Sequence, residues 1–256
     1  IPHVSISDHK IQIPGEAVKM GDGKFIGLVS LTTDKPDALL MARGYLHYFE
    51  SFNSDRALLD SVKYYLDKTA EKNDSYSAVL IHYYYLQQDY KNIITTSSAF
   101  KKLTKLDAWT AYRVGEAFLN TQSYTEAATY FQQAVNEEKY NLDYNFKLAT
   151  AKIFSGKSEE AENLLQFIVA ENPTYHMAWN NLGVLQAGKG NYLEAEKSFT
   201  KAIQLDPDYV LARIKLAELF IATRQRTKAR EAISYLEKYY PELQELPKLT
   251  LQLRSI

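Results

Sequence analysis

The chain has 256 residues, 46% of them apolar, and a net charge of −1. That length and apolar content can bury a full core, while the near-neutral balance speaks against a nucleic-acid binder, which is usually strongly basic on one face. With no cysteine, disulfides, thiolate metal sites and a cysteine nucleophile are excluded; no apolar run approaches membrane-spanning length, and none of these 256 residues is expected to form a signal peptide.

Residues 1–35 differ in kind from the rest. Pro2, Pro14 and Pro36 bound extended stretches, and Gly15, Gly21, Gly23 and Gly27 supply turn signals. The run Lys24–Thr32, rich in apolar and β-branched residues, predicts a short strand or an extended strip laid on helices. The chain opens on Ile1 rather than methionine, which suggests a processed or truncated piece of something longer. Residues 36–71 then read as a helix pair, about Pro36–Phe52 and Asp55–Ala70. Residues 74–107 read as a second, degenerate pair, with Leu80 and Tyr90 in register with the 34-residue spacing of the chain beyond Ala108.

From Ala108 to Leu243 four stretches superimpose at an offset of 34 residues without a gap: 108–141, 142–175, 176–209 and 210–243. The eighth position is Gly115, Ala149, Gly183 and Ala217, and the twentieth is Ala127, Ala161, Ala195 and Ala229. Small residues at both places let two helices of a hairpin approach closely where they cross. Core volume is conserved by exchange: Phe131 with Ala134 and Phe199 with Ala202, against Leu165 with Ile168 and Ile233 with Leu236. Pro173, Pro207 and Pro241 end one helix and admit the next, with Lys139 at that place in the first copy. Gly156 and Gly190 mark turns inside two hairpins. The basic run Arg224, Arg226, Lys228 and Arg230 falls at the turn of the last hairpin, where a solvated turn accounts for it. Residues 244–256 carry Leu246, Leu249, Leu251 and Leu253, suited to covering the end of a stack.

This pattern resembles the tetratricopeptide repeat. In the best copy Trp179, Leu182, Gly183, Ala195, Phe199, Ala202 and Pro207 sit where that family's consensus residues sit. The resemblance implies an all-α fold: an α-solenoid of about six stacked hairpins, the superhelix of this family, preceded by an extended N-terminal segment. It also implies a concave groove lined by the second, fifth, ninth and twelfth positions of each first helix. The residues matching those positions that would form the groove, all but Asn180 apolar or aromatic, are Trp109, Tyr112, Phe146, Ile153, Met177, Asn180, Val184, Leu211 and Ile214. Family members that clamp a peptide's C-terminal carboxylate use lysine and asparagine at the fifth and ninth positions. Here Tyr112 with Glu116 and Phe146 with Thr150 stand there, so an amphipathic or extended protein segment held by apolar burial is the expected partner. The residues could equally pack on one another. An apolar strip of this kind also invites a cover from the chain itself, for which Phe25–Val29 is the favoured segment; packing along the outside of the first hairpin is the rival.

No phosphate-cradling loop, nucleophile elbow or histidine-glutamate zinc motif is present, so an enzyme is not expected and no metal site or cofactor is assigned to the chain. His47, His82 and His176 read as surface or partly buried polar residues. The string Ile1-Pro-His-Val4, with Asp8-His-Lys-Ile11 and Pro14, resembles the segment after the last haem-attachment motif in bacterial multihaem cytochrome c-like proteins that carry such an array. That resemblance implies export to the periplasm, and His3 or His9 as axial ligands to a haem attached upstream in a longer parent.

Overall fold

The structure, a computed structural model, describes residues 11–12, 29–30, 37–52, 55–98, 100 and 106–256. Among them are thirteen helices and one short antiparallel ladder, in which β1 (Ile11–Gln12) pairs with β2 (Val29–Ser30). β2 falls within the run predicted as a strand or extended strip, and β1 runs beside α1 (Ala38–Ser51).

The chain divides into two compact units, residues 1–137 and 138–256. In the first unit, α1 pairs with α2 (Ala57–Lys68), α3 (Asp74–Leu86) with α4 (Tyr90–Ser97), and α5 (Ala108–Asn120) with α6 (Tyr124–Glu137). In the second, α7 (Leu142–Phe154) pairs with α8 (Ser158–Glu171), α9 (His176–Gly188) with α10 (Tyr192–Leu205), and α11 (Val210–Ala222) with α12 (Arg226–Tyr239), closed by α13 (Leu246–Arg254). Each unit is therefore a stack of antiparallel helical hairpins. The helix pair expected over 36–70 is α1 with α2.

Four of the first helices, α1, α3, α5 and α7, start where a short polar side chain satisfies an otherwise orphaned backbone amide. Asp37, Asn73, Asp107 and Asn141 each accept from the amide three residues on, at 2.9, 3.0, 2.8 and 3.3 Å. Five hairpin turns share one backbone feature. The residues at 88, 122, 156, 190 and 224, each 34 after the last, all have positive φ: Gln88 58°, Gln122 61°, Gly156 79°, Gly190 81° and Arg224 56°. Only two of the five are glycine, although left-handed backbone costs an L-residue about 1–2 kcal/mol. Arg224→Gly should therefore raise the stability of the last hairpin by up to about 1 kcal/mol, checked by denaturant titration; no gain at all would contradict the strain argument.

The helix crossings are tight. Ala127, Ala161, Ala195 and Ala229 are all fully buried, as are Phe131, Leu165, Ala202 and Leu236 to within 1%. Lengthening Ala195 to leucine should overpack the crossing beside Gly183 and cost roughly 1–3 kcal/mol, with Ala161→Leu similar against Ala149. Melts as high as the parent's in both variants would contradict the register.

The C-terminal leucines divide. Leu246 and Leu249 are buried and Leu253 packs beside them in the core of the last hairpin, but Leu251 is 68% exposed. The expectation that all four cover the stack fails for Leu251 because helical periodicity puts residues three and seven apart on one face and the fifth on the other.

Candidate functional site

The face built by the first helices is where the chain gathers its chemically distinctive side chains. In the first unit α1, α3 and α5 touch along that face, and each contributes one ionisable group. His82 Nε2 on α3 lies 2.8 Å from Glu50 Oε1 near the end of α1, although the ring is not aligned for a hydrogen bond there. Arg113 on α5 approaches the same carboxylate at 3.5 Å. The Arg113 side chain is only 3% exposed. Its guanidinium lies 4.1 Å from the Trp109 ring centre and 5.5 Å from that of Tyr85, a cation held between two aromatic faces. Trp109 in turn stacks on Tyr112, the rings 5.7 Å apart and 16° from parallel.

Burial pushes the Glu50 carboxyl up, but His82 and Arg113 outweigh it and hold the group below its ordinary value. Burial draws His82 below its ordinary value; the Glu50 carboxylate opposes this, and the Arg113 charge adds to it. Burial likewise raises the Tyr85 phenol. The cluster thus sits as carboxylate, neutral imidazole and guanidinium at neutral pH. Such a set fixes three helices in register; among the described residues no three metal-ligating side chains converge to form a metal site.

The sequence-derived groove residues fare unevenly. In the first unit Trp109 is 45% exposed and Tyr112 half-buried. In the second, Leu211 is 45% exposed and Met177 half-buried, but Asn180 and Ile214 are buried within the unit. The Asn180 side-chain amide nitrogen donates to Asn181 Oδ1 at 3.2 Å, and its Oδ1 has no partner among the described residues. Phe146 and Ile153 pack on the core around Leu165 and Leu182, with Phe146 also against the Tyr175 ring at 5.4 Å. Val184 packs beside Phe199 and Leu219. In this unit the alternative open from sequence, that first-helix residues touch one another and their own core, describes most positions. Tyr175 further ties Asp143 by donating its hydroxyl at 2.7 Å. Phe25 and Ile26, His3 and His9 lie outside the described residues.

Of the two readings the sequence left open for His82, surface or partly buried, it is partly buried, pressed against a carboxylate inside the first unit. Sequence reasoning missed Glu50 and Arg113 altogether. The pair is 63 residues apart, on α1 and α5 with α3 between them, across a stretch where the repeat pattern is too worn to align the helices.

Comparison with known proteins bears on the second unit most directly. Residues 176–209, spanning α9 and α10, match the family described as Tetratricopeptide repeat. The chain is 29% identical over 159 residues to the mouse protein O-mannosyl-transferase TMTC3, a match covering 56% of this chain and 17% of that protein. It thus spans about a sixth of the length of that curated relative. Among solved structures, PilW, described as a widely conserved type IV pilus biogenesis factor, superimposes with a TM-score of 0.66 at 17% identity, over 84% of this chain and 99% of PilW. YrrB, described as a tetratricopeptide repeat protein with an unusual peptide-binding site, gives 0.52 at 20% identity, over 84% and 100%. At these identities the likeness is one of fold: an all-α solenoid of helical hairpins.

Proposed function

We propose that the chain is a repeat scaffold that binds a protein or peptide segment on the faces formed by its first helices. The observation that carries this reading is Trp109. Its ring is braced from within by Arg113 and Tyr112 yet remains 45% exposed, and a preorganised aromatic with an open surface is what dominates binding at protein interfaces. Leu211 and Met177 offer apolar surface on the equivalent face of the second unit. The tetratricopeptide repeat match at 176–209 and the likeness to YrrB support the same use. The match to TMTC3 covers too little of that enzyme to bring its transferase activity with it. Burial by hydrophobic contact is favoured over capture of a terminal carboxylate, because the clamp residues of the family are replaced by Tyr112 and Phe146.

Selection of binding peptides from a random display library tests this. Trp109→Ala or Leu211→Glu should weaken the selected peptides tenfold or more, in proteins shown by circular dichroism to be folded, while Lys197→Glu on α10 should leave them unchanged. Peptides sensitive only to the α10 change would place the binding surface elsewhere. A second reading, the non-haem part of an exported multihaem cytochrome c-like protein, is motivated by Ile1–Pro14 alone. Its test is the coding sequence before Ile1, where CxxCH motifs must appear; the periplasmic location belongs to that reading.

A further inference from the structure

We propose that the first-helix face of the first unit selects a protein segment carrying a lysine or arginine beside an apolar or aromatic residue. Glu50 receives the cation there, and Trp109 with Tyr112 receives the apolar side chain; the selection rests on the scaffold reading above. Glu50 stands near the end of α1 with its side chain 32% exposed. Its two partners, His82 Nε2 at 2.8 Å and Arg113 Nη2 at 3.5 Å, approach the same oxygen, Oε1. Among the described residues no group donates to Oε2. A carboxylate accepts through both oxygens, so capacity is left for a donor from outside. The Arg113 side chain, by contrast, is 3% exposed and lies between the Trp109 and Tyr85 rings. The cation of the cluster is shut in while its carboxylate reaches the surface.

The charge of the place favours a cation. Glu116, on the same helix as Arg113, bears on the Tyr85 phenol, as does Glu50. Two carboxylates against one guanidinium leave one negative charge while His82 is neutral. His47 is the other titratable group acting on Glu50. Asp107, at the start of α5, has both oxygens engaged with Thr110. An acidic segment would therefore meet Glu50 as a like charge, which specific interfaces avoid. The preferred charge is the reverse of the one a terminal-carboxylate clamp takes.

The two subsites lie side by side. The Arg113 guanidinium separates them: its carbon is 4.1 Å from the Trp109 ring centre, and its Nη2 is 3.5 Å from Glu50 Oε1. Trp109 is 45% exposed and stacks on Tyr112, so one aromatic surface flanks the open carboxylate. Lysine and arginine suit such a border because their apolar stems lie along rings while the charged end stays at a polar group. An apolar or aromatic neighbour in the segment then covers the indole, the kind of anchor that dominates binding.

Peptides selected on the full chain from a random display library, and weakened by Trp109→Ala, should be enriched in lysine or arginine next to an apolar residue. Replacing that cation by glutamine in a selected peptide should weaken binding to the parent about fivefold. In Glu50→Gln the same replacement should make no difference. A Trp109-dependent peptide that loses nothing with its cation overturns the selection and leaves the scaffold reading standing. Peptides that depend on Leu211 alone do the same, whereas peptides indifferent to both residues overturn the two together. A dimer in sedimentation velocity that Trp109→Ala abolishes would make a second copy the occupant and also overturn it. Should Glu50→Gln fail to fold, the peptide and its glutamine form are compared on the parent at low and high salt. Their difference must shrink as salt screens the pair, and a difference that salt leaves unchanged overturns the role of Glu50.

Discussion

Phe199→Ala should cost about 3–5 kcal/mol, the range for removing a fully buried phenylalanine side chain from a core that cannot collapse around the gap. Phe199 is 1% exposed, and its ring fills the space left by the missing side chain of Gly183. A Cβ added at Gly183 would lie 2.6 Å from the Phe199 ring, and one at Gly115 would lie 2.7 Å from that of Phe131. The other two copies answer the same constraint differently: Ala149 faces Leu165, and Ala217 faces Ile233. Glycine goes with phenylalanine, alanine with the smaller aliphatic residue. Gly183→Ala alone should therefore lose about 1–3 kcal/mol by overpacking, and Phe199→Leu alone about 1–2 kcal/mol by underpacking. Their combination rebuilds the pairing of the 142–175 copy. The double variant should be more stable than the sum of the two losses by on the order of 1–2 kcal/mol, read from a denaturation cycle. Strict additivity would mean that the two positions do not share the crossing.

Arg113→Ala is expected to cost about 3 kcal/mol, the lower end of the range for breaking a buried ion pair, because the surviving Glu50 is about a third exposed and regains some water. Packing adds to the loss, since the guanidinium fills the gap between Trp109 and Tyr85. Arg113→Lys should recover little: an ammonium keeps the charge but not the flat stack between two rings. A thermal melt comparing the three proteins checks this ordering. Equal stability of Arg113→Lys and the parent would show that charge alone matters there.

The 34-residue register is legible in the sequence because the residues it repeats are the ones that cannot vary freely. Ala161, Ala195 and their equivalents are buried at helix crossings, and Gly156 and Gly190 sit at left-handed turns. Where the backbone demand is met by a residue without a signature, the sequence is silent: Gln88, Gln122 and Arg224 adopt the same turn and carry no glycine to announce it. Groove positions are legible only as positions in a helix, which place a residue on a face without saying whether a neighbouring helix covers it. That is why Trp109 and Leu211 are open while Asn180 and Ile214 are closed over. The Glu50–His82–Arg113 cluster depends on how three helices come together over 63 residues of chain, and no local pattern encodes such a meeting. Leucine content at the C-terminus suggests a cover, but only the phase of α13 separates the exposed Leu251 from its buried neighbours.

The claim that binding occurs on the first-helix faces is tested most directly by hydrogen exchange of the full chain with and without a saturating selected peptide. Added protection is expected in α5, α9 or α11, including the segments that carry Trp109, Met177 or Leu211, with α6, α10 and α12 unchanged. Protection confined to those second helices would contradict the claim.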